Sequence, residues 1–273
     1  MLVAEIIAVG NELLLGDVLD TNTHWLCRQV TGLGGRVSRG CMVPDSAQAI
    51  AEALLAALGR QPDLVVLTGG LGPTADDQTL ASVAATLDRP LGLSSTALRM
   101  VQETYEELAA QGLVREARLT DVRSKMAHLP SGAVPLPNPV GAAPGVLMRQ
   151  GQAMIVCLPG VPAELKAIFL SFAQTHLATL LGSRTFLEWT LVTDCGDESI
   201  LAPEVNRVAT GHPHVYVKSR AQAYGDGVPL RVTLSASGDE PTAVEAWIES
   251  AKRDLIDALA VNGIEVVEAV QNR

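Results

Sequence analysis

The amino-acid sequence predicts an α/β protein in which a three-layer α/β/α domain with a mostly parallel sheet precedes a smaller α+β domain. In the first part of the chain, short apolar runs alternate with amphipathic helical segments, which is typical of a parallel sheet covered by helices on both faces. Around Gly182-Ser183-Arg184 this pattern changes to alternating strands and two helices. We therefore expect one domain over residues 1–182 and a second over residues 183–273.

The elements of the first domain follow from apolar spacing and from capping residues. Runs of Val, Ile and Leu predict strands, and the segments between them carry apolar residues at helical spacing. Thr21 or Asn22 is expected to cap the first helix, and Asp45 or Ser46 the second. The expected elements are a strand at 3–9, a helix to about 34, a strand at 36–43, a helix ending near 59, a strand at 63–68, helices at 77–87, 95–111 and 119–127, paired strands at 146–148 and 154–158, and a helix to about 181.

The second domain has roughly 90 residues, the size of an ordinary small α+β domain. Period-two alternation predicts its strands, and a period near 3.6 predicts its helices. Glycine and aspartate between two of the strands favour a hairpin turn. The expected βαββα unit consists of a strand at 186–193, a helix at 198–209, a hairpin of strands 215–223 and 230–235 across 224–227, and an amphipathic helix at 242–259.

The composition describes a protein with a sizeable core and an acidic surface. Hydrophobic residues make up 48% of the 273 residues, charged residues 18% and aromatic residues 3%, and the net charge is −10. An acidic chain lacks the basic stripe that nucleic acid requires, and few aromatic residues are available to stack on bases. We therefore expect a small anionic ligand and no nucleic-acid partner.

Cysteine spacing and hydropathy favour a cytoplasmic protein that does not enter a membrane. Four cysteines lie far apart and form no Cys-x-x-Cys pair, which is typical of reduced thiols in the core. The N-terminal segment carries Glu5 and no basic flank, so it is expected to be a strand and not a signal peptide. No apolar run approaches the roughly 18 residues needed to span a bilayer.

The stretch from Thr68 to Thr79 carries the strongest chemical signal. An apolar strand leads into three glycines, and Asp76 and Asp77 open a predicted helix. Glycines let backbone N–H groups approach a ligand, and a helix N-terminus attracts anions, so the stretch suits a phosphate. Two carboxylates would repel phosphate unless a divalent cation lay between them, which indicates a metal-assisted phosphate or pyrophosphate site. The alternative is a tight turn in which the aspartates only cap the helix.

Four loops, at residues 10–22, 68–77, 137–145 and 159–164, leave the C-terminal ends of apolar runs. In a doubly wound sheet such loops meet at one edge, so we expect them to share a pocket. They contain carboxylates, amides and threonines but no Ser, Cys or His nucleophile, which favours a metal and water mechanism over covalent catalysis. The best candidates for holding a metal or activating water are Glu12, Asp20 and Asp77. For each of them the alternative is a helix cap or a solvated loop charge.

Together these loops resemble the CinA family, the competence/damage-inducible protein A group, whose N-terminal domain is similar to the molybdopterin-binding fold of MogA, MoaB, gephyrin and MoeA. The resemblance covers roughly the first 180 residues, and residues 185–273 look like the family's small KH-like middle domain. The residues that carry it are Gly10-Asn11-Glu12-Leu13-Leu14 with Gly16, Asp20-Thr21-Asn22, the run Thr68 to Thr79, Asn138-Pro139 with Gly141, Pro144-Gly145, and Leu158-Pro159-Gly160 with Pro162 and Glu164.

The resemblance implies a metal-dependent ADP-ribose pyrophosphatase that gives AMP and ribose 5-phosphate. It implies a catalytic or metal-binding role for Asp77 with Glu12 and Asp20, a divalent cation such as Mg²⁺ with K⁺ as a further candidate, and a homodimer or homotrimer. The Ser-Cys-Thr-Gly-Gly signature of the family's amidase domain is absent from the sequence, so amidase activity is not expected. The residues implied in substrate and phosphate binding are Thr68, Gly69, Gly70, Gly72, Pro73, Thr74, Asn22, Asn138, Gly141, Gly145, Gly160 and Glu164.

The chain departs from the family pattern at four positions that bear on the substrate. Asn11 and Ala142 stand where threonine is usual, and Arg123 and Met126 stand where an asparagine and a glutamine are usual. If those amides contact ribose or pyrophosphate, the substrate or the reaction differs. Two other functions therefore stay open: a molybdenum-cofactor protein that binds or adenylylates molybdopterin, and a nucleotide-binding module without catalysis.

Overall fold

The structure is a computed structural model, and it describes residues 1–177, 185–220 and 229–272. The chain divides into two compact units, Met1–Val30 with Gly35–Leu180 and Thr31–Gly34 with Leu181–Arg273. The boundary expected between residues 182 and 183 and the turn expected at 224–227 lie outside the described residues.

The first unit is built on a six-stranded, mostly parallel sheet, as the sequence predicts. The strands of the whole unit are β1 (Val3–Val9), β2 (Arg36–Val43), β3 (Leu64–Thr68), β4 (Leu91–Leu93), β5 (His128–Pro130), β6 (Val134–Leu136), β7 (Gly145–Gln150) and β8 (Ala153–Leu158). The order in the main sheet is β2-β1-β3-β8-β7-β6, with β2, β1, β3 and β8 parallel to one another. β7 is antiparallel to both of its neighbours, and β4 pairs with β5 separately.

Helices connect these strands. They are α1 (Asn11–Leu15), α2 (Thr21–Gly32), α3 (Ala47–Gly59), α4 (Thr79–Thr86), α5 (Ser95–Ala110), α6 (Asp121–Ser124) and α7 (Pro162–Phe172). A 3₁₀ turn, Lys125–Ala127, continues α6, and a π-helical turn, Ala173–Leu177, continues α7. Ser94 caps α5 by accepting a hydrogen bond of 3.3 Å from the amide of Ala97.

Both faces of the sheet are buried, which explains why its strands are continuous apolar runs. Val65 and Ile155 lie in a core shared with α3, α4 and α5. Successive side chains of a strand point to opposite faces, so Val66 and Val156 point away from that core, yet both are fully buried as well. Helices therefore cover the sheet on two sides. On α2 and α7, Trp25 and Phe169 pack edge to face with ring centroids 5.6 Å apart.

The four loops expected to share a pocket meet at one edge of the sheet. β1, β3 and β8 are parallel neighbours in register, so that Ala8 pairs with Thr68 and Thr68 pairs with Leu158. β7 runs the other way and therefore begins at this edge, where Val146 pairs with Cys157. In the sheet, the strand that follows β1 in sequence, β2, lies on one side of β1, whereas β3 and β8 lie on the other side, so the direction of strand addition reverses between β1 and β3. Open α/β sheets bind ligands at such a point of reversal, between β1 and β3.

Four local expectations are corrected by the structure. The loop after β1 is not wholly irregular, because residues 11–15 form the short helix α1. Neither Thr21 nor Asn22 caps α2, because Asp20 does so by accepting the amide of Thr23. Neither aspartate opens α4, which begins at Thr79 with Gln78 as its N-cap. Between the helices expected at 77–87 and 95–111, where no element is expected, the structure has the short strand β4.

The second unit is an antiparallel sheet with two helices packed on one face. Its elements are β9 (Thr185–Thr193), α8 (Glu198–Gly211), β10 (Tyr216–Arg220), β11 (Leu230–Gly238), α9 (Pro241–Val261) and β12 (Val266–Asn272), and the strand order is β10-β11-β9-β12. Leu191, Val232 and Leu255 are fully buried in its core. The sequence did not predict β12, which pairs with β9 and extends the βαββα unit by one strand.

Across the described ranges, which omit residues 178–184, 221–228 and 273, no helix combines the length and apolar character needed to cross a membrane.

One buried ion pair ties β1 to the end of α3. Glu5 is 4% exposed, and its two oxygens accept hydrogen bonds of 2.7 and 2.6 Å from Nε and Nη2 of Arg60. Such a bidentate pair compensates the desolvation of the carboxylate only while the partner is present.

Replacing Arg60 with methionine should lower the urea midpoint of unfolding, because it leaves the buried Glu5 carboxylate without its cation. Urea unfolding followed by circular dichroism measures the loss. Arg99→Met is the matched control, since Arg99 is 70% exposed and its nearest glutamate oxygen is 3.8 Å away. Equal midpoints for the two variants would show that water replaces the guanidinium at Glu5.

Candidate active site

The loop after β3 approaches the end of β1 so closely that only glycine fits. Gly69 and Gly70 have φ angles of +93° and +66°, a region that other residues rarely adopt. A Cβ added at Gly69 would lie 2.1 Å from the carbonyl oxygen of Val9, and one at Gly70 would lie 2.2 Å from Oγ1 of Thr79. The turn is therefore fixed between β1 and the first residue of α4.

The backbone amides that remain available are fewer than the sequence suggests. The amide of Gly69 donates to the carbonyl of Leu158 at 2.9 Å, and the amide of Thr74 donates to Oδ2 of Asp77 at 2.9 Å. Pro73 has no N–H. Within the described part of the chain, the amides of Gly70, Leu71 and Gly72 make no hydrogen bond. We call these three residues the cradle, because their N–H groups are the ones left to receive an anion.

Asp77 is held against the cradle by the turn that precedes α4. Its Oδ2 accepts hydrogen bonds from the amide and, at 2.5 Å, from the hydroxyl of Thr74, whose hydroxyl also contacts Asp76. A Cβ added at Gly72 would lie 2.6 Å from the same oxygen, so the glycine makes room for the carboxylate. Two carboxylates that share one hydroxyl lie close together, and a cation beside them would relieve their repulsion.

Glu12 comes from the first turn of α1 and lies over Gly10. A Cβ added at Gly10 would lie 2.4 Å from Oε1 of Glu12. The neighbouring Asn11 fixes this loop, because its amide donates to Oδ2 of Asp45 at 2.8 Å and its side-chain oxygen accepts the amide of Asp45 at 3.3 Å. The departure at Asn11 therefore ties the β1 loop to the loop after β2.

Asp20 and Asn22 line a cavity with Thr68 and Gly69, before the cradle, and perform local roles. Asp20 accepts the amide of Thr23 at 2.9 Å, and Nδ2 of Asn22 donates to the carbonyl of Gly160 at 2.7 Å. Oδ1 of Asn22 is buried and finds no hydrogen-bond partner among the residues that the structure describes. Both residues line a small cavity of about 80 Å³, which we call the side cavity, together with Glu12, Thr68 and Gly69.

The third and fourth loops are joined by a pair of polar side chains. Nδ2 of Asn138 donates to Oε2 of Glu164 at 2.6 Å and to the carbonyl of Ala143 at 2.8 Å. A Cβ added at Gly141 would lie 2.2 Å from Cδ of Glu164. Gly145 serves packing, because a Cβ there would lie 2.7 Å from Ile168 of α7.

These groups surround a cavity of about 400 Å³, which we call the main cavity. Five carboxylates line it, and none of the described residues on its wall is basic. Tyr105, Met126 and Ala142 make part of the wall apolar, so two of the family departures lie on the surface that a ligand would contact. The predicted site residues on its wall are Glu12, Gly69, Gly70, Gly72, Pro73, Asp77, Gly160 and Glu164.

The remaining predicted residues lie outside the main cavity. Asp20, Asn22 and Thr68 line the side cavity. Asn138 and Gly141 line a groove of about 440 Å³ beside α5. Thr74 and Gly145 line none of these spaces, because Thr74 holds the turn of Asp77 and Gly145 packs against α7.

Two carboxyl groups of the main cavity have shifted pKa values of opposite sign. Hydrogen bonding from the Thr74 hydroxyl lowers the pKa of Asp76. Burial raises the pKa of Glu164, an effect that the hydrogen bond from Asn138 partly opposes. Burial therefore disfavours the charged form of Glu164.

Whether a metal fits can be judged from the donors. Within the described ranges, no three His, Cys, Asp or Glu side chains converge as a ready-made metal site. Mg²⁺ does not require one, because it commonly binds one or two carboxylates together with water and substrate phosphates. Glu12 and Asp77 face the same cavity and supply such a pair, so the donors fit a cation that arrives with an anionic ligand.

Sequence reasoning missed several residues of this site. Asp45 was expected only as a helix cap, and Tyr105 belongs to a helix without a motif. Nζ of Lys125 donates to the carbonyl of Thr74, across 51 positions of sequence, and so braces the turn that holds Asp77. No local pattern signals this contact. Arg123 lies over the ring of Tyr105, with Cζ 3.8 Å from its centroid, and donates to two backbone carbonyls.

The family described as "Probable molybdopterin binding domain" matches residues 5–179. A protein of Aeropyrum pernix is 43% identical over 246 residues, covering 89% of each chain, and Protein PAE0875 of Pyrobaculum aerophilum is 40% identical over 262 residues, covering 94% of each. The crystal structure of the protein CinA from Thermoplasma acidophilum is 37% identical with a TM-score of 0.57, and the similarity covers 63% of this chain and 96% of that one. The resemblance to CinA and the expected fold class are confirmed.

Replacing Glu164 with glutamine should stabilise the protein at neutral pH. Burial raises the pKa of Glu164 above its ordinary 4.5, so the folded protein prefers the protonated form of this side chain. The stability that this preference provides is lost as the pH rises through the raised pKa and Glu164 ionises. Glutamine does not titrate, so the melting temperature of E164Q should exceed that of the wild type at pH 7, and the gap should close near pH 4. Calorimetry at both pH values measures this, and a gap that widens on acidification would contradict it.

Proposed function

Because the chain belongs to the family described as probable molybdopterin binding domains, we propose that it hydrolyses the pyrophosphate of ADP-ribose or a related nucleotide to AMP and ribose 5-phosphate with a divalent metal. The observation that carries this proposal is the lining of the main cavity, which combines the cradle, whose amides make no hydrogen bond within the described chain, with five carboxylates and no described basic residue. Such a wall accepts an anion only with a cation, which is the requirement of pyrophosphate chemistry.

The chain's own groups divide into binding and proton-accepting roles. The N–H groups of Gly70, Leu71 and Gly72 bind the phosphate oxygens on which negative charge increases as the phosphorus is attacked. Thr74 fixes Asp77 through Oδ2, which leaves Oδ1 of Asp77 to accept a proton from the attacking water. A divalent cation held by Asp77 and Glu12 would supply charge neutralisation and a more acidic water.

The second candidate function is the binding of molybdopterin. It is favoured by the match of residues 5–179 to a family of probable molybdopterin binding domains. A pterin needs an apolar wall with a few polar groups, and Tyr105, Met126 and Ala142 offer such a wall. In this alternative the same cradle binds the phosphate of molybdopterin, with or without its adenylylation. A homodimer or homotrimer remains part of the proposal, and light scattering on the purified chain measures it.

Asp77→Asn should lower kcat for ADP-ribose hydrolysis at least about a hundredfold while the protein remains folded, because the amide cannot accept the proton. Release of AMP is measured by chromatography with Mg²⁺, Mn²⁺ or no metal, each in K⁺ and in Na⁺ buffer.

Glu12→Gln should lower the rate of hydrolysis and raise the metal concentration required. Asp17→Asn, an exposed carboxylate of the same loop as Glu12, is the matched control and should retain the wild-type rate. Full turnover by Asp77→Asn would remove this residue from the mechanism.

The affinities for ADP-ribose and for molybdopterin distinguish the candidate functions. Calorimetric titration with ADP-ribose and with molybdopterin, each in the presence of Mg²⁺, should give the tighter dissociation constant for ADP-ribose. Tighter binding of molybdopterin would favour the alternative. Micromolar binding of ADP-ribose without any AMP release in several divalent metals would instead identify a nucleotide-binding module without catalysis.

A further inference from the structure

Glu164, like Asp77, has one carboxylate oxygen that is fixed and one that is free among the described residues, but the side chain that fixes it comes from a different loop. Its Oε2 is fixed by Nδ2 of Asn138, and both hydrogens of that amide are used, one on Glu164 and one on the carbonyl of Ala143. The side-chain oxygen of Asn138 accepts the amide of Val140 at 3.2 Å, so the asparagine cannot turn away. Oε1 of Glu164 makes no hydrogen bond within the described part of the chain.

The position of this carboxylate is also fixed by packing. Gly141 lies against it, and a side chain there would displace it, because a Cβ would lie 2.2 Å from Cδ of Glu164. Glu12, by contrast, is exposed on a short helix. A fixed and half-buried acceptor is suited to recognising one group of a ligand, since little freedom is lost when that group binds.

The chemistry of the cavity limits which group Glu164 can recognise. A carboxylate does not bind phosphate directly, and the cation expected here is accounted for by Asp77 and Glu12. The ligand group must therefore be a neutral hydrogen-bond donor, such as a sugar hydroxyl or a ring amino group. A cavity built to bond a hydroxyl rejects an analogue without it, because the buried acceptor is then left unpaired.

The place of Glu164 in the main cavity favours a sugar. A Cβ added at Gly160 would lie 3.5 Å from Cα of Gly69, the residue before the cradle, and Glu164 follows four residues later, in the first turn of α7. Glu164 and the cradle therefore line the same cavity of about 400 Å³, where one nucleotide can reach both. In a nucleotide the hydroxyls of the ribose lie one ring away from the phosphate, whereas the amino group of the base lies farther off.

We propose that Glu164 is a specificity-determining residue that accepts a hydrogen bond from a ribose hydroxyl of the bound nucleotide, so that the site selects ribonucleotides over their deoxy analogues. This inference rests on the proposed function, because it takes the cradle to hold a phosphate of that nucleotide. It goes further by naming the group that is recognised and the residue that recognises it.

The experiment compares wild type with Glu164→Gln on four uncleavable, methylene-bridged ligands. These are ADP-ribose, its analogue lacking the adenosine 2′-hydroxyl, its analogue lacking the 2″-hydroxyl of the terminal ribose, and the inosine analogue lacking the 6-amino group. Calorimetry with Mg²⁺ gives the dissociation constants. Glu107→Gln, an exposed glutamate of α5, is the matched control and should bind all four as the wild type does.

Wild type should bind one deoxy analogue about tenfold to a hundredfold more weakly than ADP-ribose, the value of one charge-assisted hydrogen bond. Glu164→Gln should bind ADP-ribose more weakly than the wild type by a similar factor. Its dissociation constants for the ribo and deoxy forms should agree within about threefold, because the substitution and the deletion of the hydroxyl remove the same hydrogen bond. A merely structural role would weaken all ligands equally and leave their ratio unchanged.

The outcomes separate this inference from the proposed function. An unchanged ribo-to-deoxy ratio in Glu164→Gln, or a loss confined to the inosine comparison, would overturn the role in reading a hydroxyl. If the wild type binds these ligands but does not cleave ADP-ribose, hydrolysis is refuted and the ratio still decides the role of Glu164. If the wild type binds none of the four, both proposals are wrong.

Discussion

The close approach of the loops after β1, β3 and β8 is the constraint on which the rest of the site depends. Gly69 lies so near Val9 that a single Cβ would come within 2.1 Å of the Val9 carbonyl, and its own amide is bonded to Leu158. The glycine therefore does not offer its amide to a ligand. Gly69 holds the ends of β1, β3 and β8 together. The amides of the next three residues make no hydrogen bond within the described chain. Glu12, Asp77 and Glu164 then face one cavity from three different loops.

The balance of charge in that cavity determines which chemistry is reasonable. Five carboxylates line the main cavity beside a cradle that is suited to an anion, and the described wall of that cavity has no lysine or arginine, although Lys125 lines a neighbouring cavity with the cradle. A cation that enters with the ligand resolves this conflict, whereas a preformed cluster of three ligands does not occur within the described ranges. The apolar side chain of Met126, which stands where the family usually has an amide, leaves fewer polar groups to identify the substrate. Glu164, fixed by Asn138, is the acceptor on this wall that is best placed to do so.

The long, buried elements could be predicted from the sequence, and the short ones could not. β1, β3 and β8 are runs of apolar residues between turn signals, and burial on both faces keeps those runs continuous. β4 has only three residues and exposed side chains, so no periodic signal marks it, and it exists because β5 pairs with it from a distant part of the chain. β12 lacks a strong apolar pattern, and its pairing with β9 defines it. Asp20 and Asp76 show a further limit of prediction from sequence. Asp20 caps α2 and Asp76 lines the main cavity, but an aspartate in a loop is compatible with either role.

By itself, the sequence determined the fold class, the loops that meet at the sheet edge and the presence of glycines and carboxylates in them. Residue type and spacing carry this information because strand burial, turn geometry and glycine conformation are local properties. Only the tertiary structure decided which amides stay unpaired, that Asp77 and not Asp20 lies in the main cavity, and that Lys125 braces Thr74 across the fold. These are contacts between segments far apart in sequence, and their geometry is set by how the layers pack. Local pattern does not encode it.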